Sequence, residues 1–159
     1  MTADNSNKAE PPNPDQALLY RFLADPSTPV PFDSNRLAAA LGGVLLAADP
    51  AAGTIRMQFR PGPEFVQGND VIQGGAIGAM LDFAMAFAVI AGMPRETTVA
   101  TANLTVSFLA AARAGDYVAL GVVERRGKRL AFARGELRPA GGGPPVATGT
   151  SVLAVLGAR

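Results

Sequence analysis

The chain contains no cysteine and no histidine among its 159 residues. The first absence removes disulfides, thiolate nucleophiles and cysteine-bound zinc. The second removes every Ser-His-Asp or Cys-His relay. A zinc hydrolase would then have carboxylates alone to hold its ion, a poor donor set, so neither a metal nor a cofactor is expected. An excess of charge is missing as well: 14 Lys and Arg stand against 13 Asp and Glu, a formal net charge of +1. That balance does not suggest a nucleic-acid or membrane-surface partner. The N-terminus lacks the apolar run of a signal peptide, which points to a cytoplasmic protein. Aromatic residues are sparse, and no internal repeat is visible.

What is present suffices for one domain with a sizeable core. Residues 1–14 are polar and rich in Pro and Asn, and are expected to be a disordered tail unless a neighbour orders them. Residues 15–159 read as the domain. Asp15 can cap a helix over residues 16–23, with Leu18, Leu19, Phe22 and Leu23 on one face. Residues 32–41 are ambiguous. Residues 41–49 read as a strand, Pro50-Ala-Ala-Gly53 as a turn, and Thr54-Ile-Arg-Met-Gln-Phe59 alternates as a half-buried strand does. Residues 64–72 form a loop carrying Gln67, Asn69 and Asp70. After a long apolar segment come a strand over 97–109, then a hairpin over 116–125 and 129–138, turning at Arg126-Gly-Lys128. Gly141-Gly-Gly-Pro-Pro145 is a turn before a last strand over 146–155. One antiparallel sheet wrapped around one helix satisfies this order, an α+β architecture.

The apolar segment organises the rest. It runs Val71-Ile-Gln-Gly-Gly-Ala-Ile-Gly-Ala-Met-Leu-Asp-Phe-Ala-Met-Ala-Phe-Ala-Val-Ile-Ala-Gly92 and reads as one helix from Gly74, stopped at Gly92-Met-Pro94. A helix apolar all round is a buried helix. Its small residues Ala76, Gly78, Ala79, Ala84, Ala86 and Ala88 let a curved sheet approach closely. Asp82 is its only polar side chain, and an ionised carboxylate there costs several kcal/mol unless paired or neutralised. Asp82 is thus either a satisfied structural carboxylate or a functional one. A membrane span is disfavoured by that central Asp, by the glycines and by the scarcity of Leu. Gly74 and Gly75 place the first free amides and the positive dipole end at the helix start, where an oxyanion could be stabilised. Alternatively the two glycines only permit close packing.

Gln73-Gly-Gly-x-x-x-x-x-x-Asp82, followed by Thr101-Ala-Asn-Leu-Thr-Val-Ser-Phe-Leu109, resembles the PaaI-type branch of the hotdog-fold acyl-CoA thioesterases. The resemblance covers residues 32–156. Many members of that family have His where this chain has Gln73, and Asn where it has Gln67. The resemblance implies a hotdog fold, with an antiparallel sheet around a long central helix and sites at a dimer interface. It implies that Asp82 is base or nucleophile towards a thioester and that the Gly74 amide polarises the carbonyl. Gln67 would hold the carbonyl or the water, and Thr101 would orient water. Gln73, Gly75 and Asn69 would border the substrate. Gln73 can exchange hydrogen bonds but cannot shuttle protons as His does. Arg125 and Arg126, with Lys128 and Arg129, could meet the phosphates of coenzyme A, or simply form a solvated sheet edge.

Gly74 and Asp82 lie eight residues apart on one helix, roughly 12 Å. One carbonyl cannot touch both. If they cooperate, each must come from a different subunit across a two-fold axis, in a homodimer or a dimer of dimers. The competing reading is a non-catalytic acyl-CoA- or lipid-binding hotdog protein. A dehydratase of this fold would call for a His–carboxylate pair, which the chain lacks.

Overall fold

A computed structural model of the chain describes residues 13–157. The expectation for residues 1–12 lies outside the described residues. Helix α1 spans Pro14–Ala24 and is capped by Asn13, whose side chain accepts from the Gln16 amide. This corrects two expectations. Asn13 and Pro14 belong to the helix start rather than to a tail, and the cap is not Asp15. The physical reason is that Asn13 has the extended backbone of a cap and Pro14 fits the first helical position, where no N–H is needed. Asp15 instead accepts from Ser34 Oγ and Asn35 Nδ2 at 2.7 and 3.1 Å.

The remaining elements follow in chain order. Strand β1 is Val30–Pro31, helix α2 Arg36–Ala40, β2 Val44–Asp49 and β3 Thr54–Phe59. A short 3-10 turn over Pro63–Phe65 precedes β4, Val66–Gln67, and β5, Val71–Ile72. The long helix α3 covers Gly74–Ala91, and β6 Thr98–Phe108, β7 Tyr117–Arg126, β8 Leu130–Pro139 and β9 Ala147–Leu156 complete the fold. The second half of the ambiguous stretch is therefore helix α2, and the expected loop over 64–72 carries a small antiparallel hairpin of β4 and β5. The large hairpin turns one residue later than its sequence suggests, at Gly127-Lys128-Arg129, closed by the Gly127 amide on the Leu130 carbonyl at 2.9 Å.

Seven strands form one antiparallel sheet in the order β1-β2-β3-β7-β8-β9-β6. It wraps around α3, which packs on β7, β8, β6 and β3. This is the hotdog arrangement. α3 is long and apolar enough to cross a membrane, but two-thirds of it, 67%, is buried inside the fold.

Close approach of helix and sheet depends on the sheet as much as on the helix. Gly121, Gly135 and Gly149 are register partners on β7, β8 and β9, a row of glycines beneath α3. A Cβ on Gly121 would lie 2.2 Å from the Ala84 carbonyl oxygen, and Gly135 and Gly149 abut Met85 and Leu81. With side chains there, the helix axis could not sit where it does. The helix's own small residues divide into two sets. Ala76, Gly78, Ala84 and Ala88 are buried, whereas Ala79 and Ala86 are half-exposed. Together with Gly75 and Asp82 the latter trace a stripe at helical spacing that the sheet does not cover. The helix is thus not buried all round, which corrects the sequence expectation. The stripe runs beside β6, one of the sheet's two edge strands.

Candidate active site

Asp82 lies on the open stripe of α3, half-buried. Thr101 Oγ1, on β6, donates to Asp82 Oδ1 at 2.8 Å. Beside Thr101 the register of β6 against β9 slips, between Thr101 and Asn103. Such an irregularity re-aims side chains locally. Burial raises the Asp82 carboxyl above its ordinary value, and the Thr101 hydrogen bond pulls it partly back. The result is a carboxylate that is oriented through one oxygen and made more basic by its surroundings. Asp82 and Thr101 share a cavity of about 200 Å³ with Phe83, Phe87 and the first turn of α1.

The start of α3 builds a different cavity. Gln73 is the N-cap residue, yet its side chain makes no capping bond. Its backbone carbonyl accepts from the Ala76 and Ile77 amides at 3.0 and 3.2 Å, and its own amide donates to the Phe65 carbonyl at 2.8 Å. The amides of Gly74 and Gly75 stand ahead of the first intrahelical donor and have no acceptor within the helix. Gly74 lines a cavity of about 240 Å³ with Gln67, Ile77, Phe108 and Ala112. Gln67 reaches it because β4 pairs with β5, which leads directly into α3. Phe108, which the sequence marks only as part of a strand motif, is a further lining residue of this cavity. Its ring lies against Gly74, so that a Cβ there would come 3.0 Å from Phe108 Cζ.

The fold thus brings Asp82 to Thr101 and Gly74 to Gln67, and keeps the two pairs in separate cavities of one chain. Gly75 and the Gln73 side chain are solvent-exposed at the helix start, and Asn69 is exposed at the tip of the β4–β5 turn, outside both cavities. Arg126 is engaged elsewhere: its guanidinium donates to the Ala88 and Val89 carbonyls at 3.0 and 3.3 Å. It caps the C-terminus of α3, where free carbonyls and the negative dipole end favour a cation. This is a structural role for Arg126 beside the phosphate-binding one expected from the sequence: the residue lines a surface cavity with Lys128 as well as holding the helix end. Nothing local to the hairpin sequence could reveal that contact, since the partners are 38 and 37 residues away. Arg125 is exposed and forms no ion pair among the described residues.

The open stripe of α3 and the free edge of β6 are one continuous surface. It also carries exposed apolar side chains: Leu104, Phe108 and Leu109 are 36%, 57% and 56% accessible. Exposed apolar groups beside an unpaired strand edge form an association surface.

An antiparallel sheet wound around one long central helix is the hotdog fold. The family model of the thioesterase superfamily matches residues 69–146. Among solved structures, the phenylacetic acid degradation-related protein of Ralstonia eutropha JMP134 is 34% identical over 86% of this chain and 98% of its own, with a TM-score of 0.74. A thioesterase family protein from Silicibacter pomeroyi is 22% identical, over 87% and 98%, with a TM-score of 0.75. The PaaI protein of the E. coli phenylacetic acid degradation operon is 18% identical, over 91% and 98%, at 0.73. The last two share the fold. No curated protein matches the chain. The chain belongs to the thioesterase superfamily and is a thioester hydrolase of the PaaI-type hotdog group.

Proposed function

We propose that the protein hydrolyses an acyl-CoA thioester at composite sites shared by two copies of the chain. The observation that carries this reading is the separation of Asp82 and Gly74 into two cavities that flank the same uncovered face. A second copy related by a two-fold axis, seated on the free edge of β6, would set the Gly74 cavity of one protomer opposite Asp82 of the other. It would also cover the exposed apolar residues of that edge.

In the proposed reaction the thioester carbonyl points its oxygen at the Gly74 amide. Asp82, held by Thr101 through Oδ1, accepts a proton from water through Oδ2. The water oxygen attacks the carbonyl carbon, and charge builds on the oxygen at the helix N-terminus. Collapse of the tetrahedral species breaks the C–S bond, and the departing thiolate recovers the proton from Asp82. The acid and coenzyme A are the products. Gln67 borders the Gly74 cavity and supplies an amide to the carbonyl or the water. Gln73 supports the helix start through its backbone and takes no proton, so the missing family His is not needed for this route. Arg125, Lys128 and Arg129 are the exposed cations of that hairpin end left to meet substrate phosphates.

The test is thiol release from a panel of acyl-CoA thioesters. Asp82→Asn should keep the fold and lower kcat by a factor of about a hundred or more, the scale of lost general-base assistance. Wild-type turnover by this variant would end the catalytic reading of Asp82, whereas no thiol release by the wild type from any thioester of the panel would favour a binding protein.

A further inference from the structure

The cavity around Asp82 extends well beyond the carboxylate. On α3 it follows one line of the helix, Asp82, Ala86 and Ile90, each about one turn on from the last. At ~1.5 Å per residue that line is about 12 Å long. On β6 the cavity runs from Thr101 back to Thr98. Asp82 and Thr101, bonded to each other, mark one end. Ile90 and Thr98 mark the other, and Phe83, Phe87 and Val99 supply apolar wall between them.

Two boundaries of this cavity are fixed. Behind the aromatic wall stands buried Phe32, its ring centroid 5.2 Å from that of Phe83 and 4.7 Å from that of Phe87. Rings packed at these distances leave the wall no room to retreat. The distal boundary is the first turn of α1, where Asn13, Asp15 and Gln16 line the cavity. Gln16 Nε2 donates to the Thr97 carbonyl, and Asp15 accepts from Ser34 and Asn35. The first turn of α1 is thereby tied to the start of β6 on one side and to the start of α2 on the other. Of the three residues on the helix line, Ala86 alone is small, and its methyl leaves a gap between Asp82 and Ile90. A longer side chain at that position would lean back over the preceding turn, towards Asp82.

We propose that this cavity gauges the length of a linear apolar acyl group, and that Ala86 is the residue that admits a chain of medium length. The inference rests on the hydrolase reading above, which puts the thioester carbonyl at Asp82. From there the acyl chain passes over Ala86 to Ile90 and stops at α1. With C–C bonds of ~1.5 Å in a zigzag, a chain spanning that line has roughly eight to ten carbons. Each methylene laid against the wall leaves water and strengthens binding by roughly fourfold. Beyond Ile90 the gain ends, because a longer chain meets polar groups of α1 that are already bonded to other residues and would lose water without a new partner.

The experiment measures thiol release from straight-chain acyl-CoA thioesters of four to sixteen carbons. In the wild type kcat/KM should climb with each added methylene, peak near eight to ten carbons and fall about tenfold or more by sixteen. Ala86→Leu fills the gap after the carboxylate and should move the peak to chains shorter by two carbons or more. Ile90→Ala opens the far end and should raise kcat/KM for chains beyond the wild-type peak relative to those below it. Non-hydrolysable thioether analogues of the same lengths, titrated by calorimetry, read the gauge without turnover and should peak at the same length. A wild-type profile that stays level to sixteen carbons, or an unmoved peak in a folded, dimeric Ala86→Leu, would overturn the gauge and leave the hydrolase intact. Absence of turnover with every thioester would remove the hydrolase. The analogue affinities would then sustain the gauge if they peak at medium length and shift with Ala86→Leu, and overturn it if they do not. Should Ala86→Leu fail to fold, the wild-type profile and the opposite shift in Ile90→Ala decide the matter.

Discussion

Two inactive variants should restore activity when they share a dimer. Gly74→Pro removes the carbonyl-polarising amide, because Pro has no N–H. The backbone accommodates it: Gly74 is the first residue of α3, and Gln73 has φ −55° and ψ 135°, the extended conformation that precedes Pro. The new Cβ would press on the Phe108 ring. Gly74→Ala brings the same Cβ but keeps the amide, so the difference between the two isolates the donor. Loss of an oxyanion donor lowers kcat by roughly 10²–10³. Asp82→Ala removes the base, with a comparable or larger loss. Each homodimer carries one defect in both of its sites. In a mixed dimer, one site receives both defects and the other receives neither. Equal amounts mixed at random make half the dimers mixed, each with one working site of two, so activity should return to about a quarter of wild type. That is well above the residual rate of either variant alone. The assay is thiol release after the two variants are unfolded and refolded together, with mixed dimers confirmed by native mass spectrometry. No recovery in the presence of confirmed mixed dimers would refute a site built from both subunits.

Four further outcomes follow from the geometry. Burial raises the Asp82 pKa and Thr101 partly lowers it, so the acid limb of kcat should lie above the ordinary Asp value and move to still higher pH in Thr101→Val. Thr101→Ser should hold it in place, and an unmoved limb in Thr101→Val would show that the hydrogen bond does not tune the base. The stability contribution of a carboxyl with a raised folded pKa is fully present below its unfolded value and is lost as pH rises through the folded value. Asp82→Asn should therefore flatten this part of the stability–pH curve in urea titrations. Arg126→Leu should lose about 1–2 kcal/mol in urea unfolding, since two carbonyls at the end of α3 lose a partly solvated cationic partner. An unchanged midpoint with a raised KM would return Arg126 to the substrate. Gly121→Ala should destabilise by roughly 2–3 kcal/mol or prevent folding, because its methyl would meet the Ala84 carbonyl, whereas Gly141→Ala, with nothing within 4 Å of its Cβ, should stay close to wild type.

Local regularities of the sequence were enough for much of the fold. A run of apolar residues framed by Gly74 and Gly92 has to be a helix ending where α3 ends, since glycine releases the chain there. The alternation from Thr54 to Phe59 matches β3 residue for residue. Spacing along a straight helix also required that Gly74 and Asp82 not serve one carbonyl from one chain. These inferences depend on distances of a few residues, over which backbone geometry is the same in every protein. Other features depend on what packs against what. Which stripe of an almost uniformly apolar helix stays open was not legible, because every face of α3 looks equally ready for burial; the glycine row on β7, β8 and β9 selects the buried one. The β4–β5 hairpin was hidden because two-residue strands have no period of their own. Arg126 and Gln16 looked like ordinary surface residues in their own segments. Only the folded chain brings the first to the end of α3 and the second to Thr97, across 81 residues. A side chain's role is set by its partners in space, and hydrogen bonds at such separations leave no mark on the local sequence.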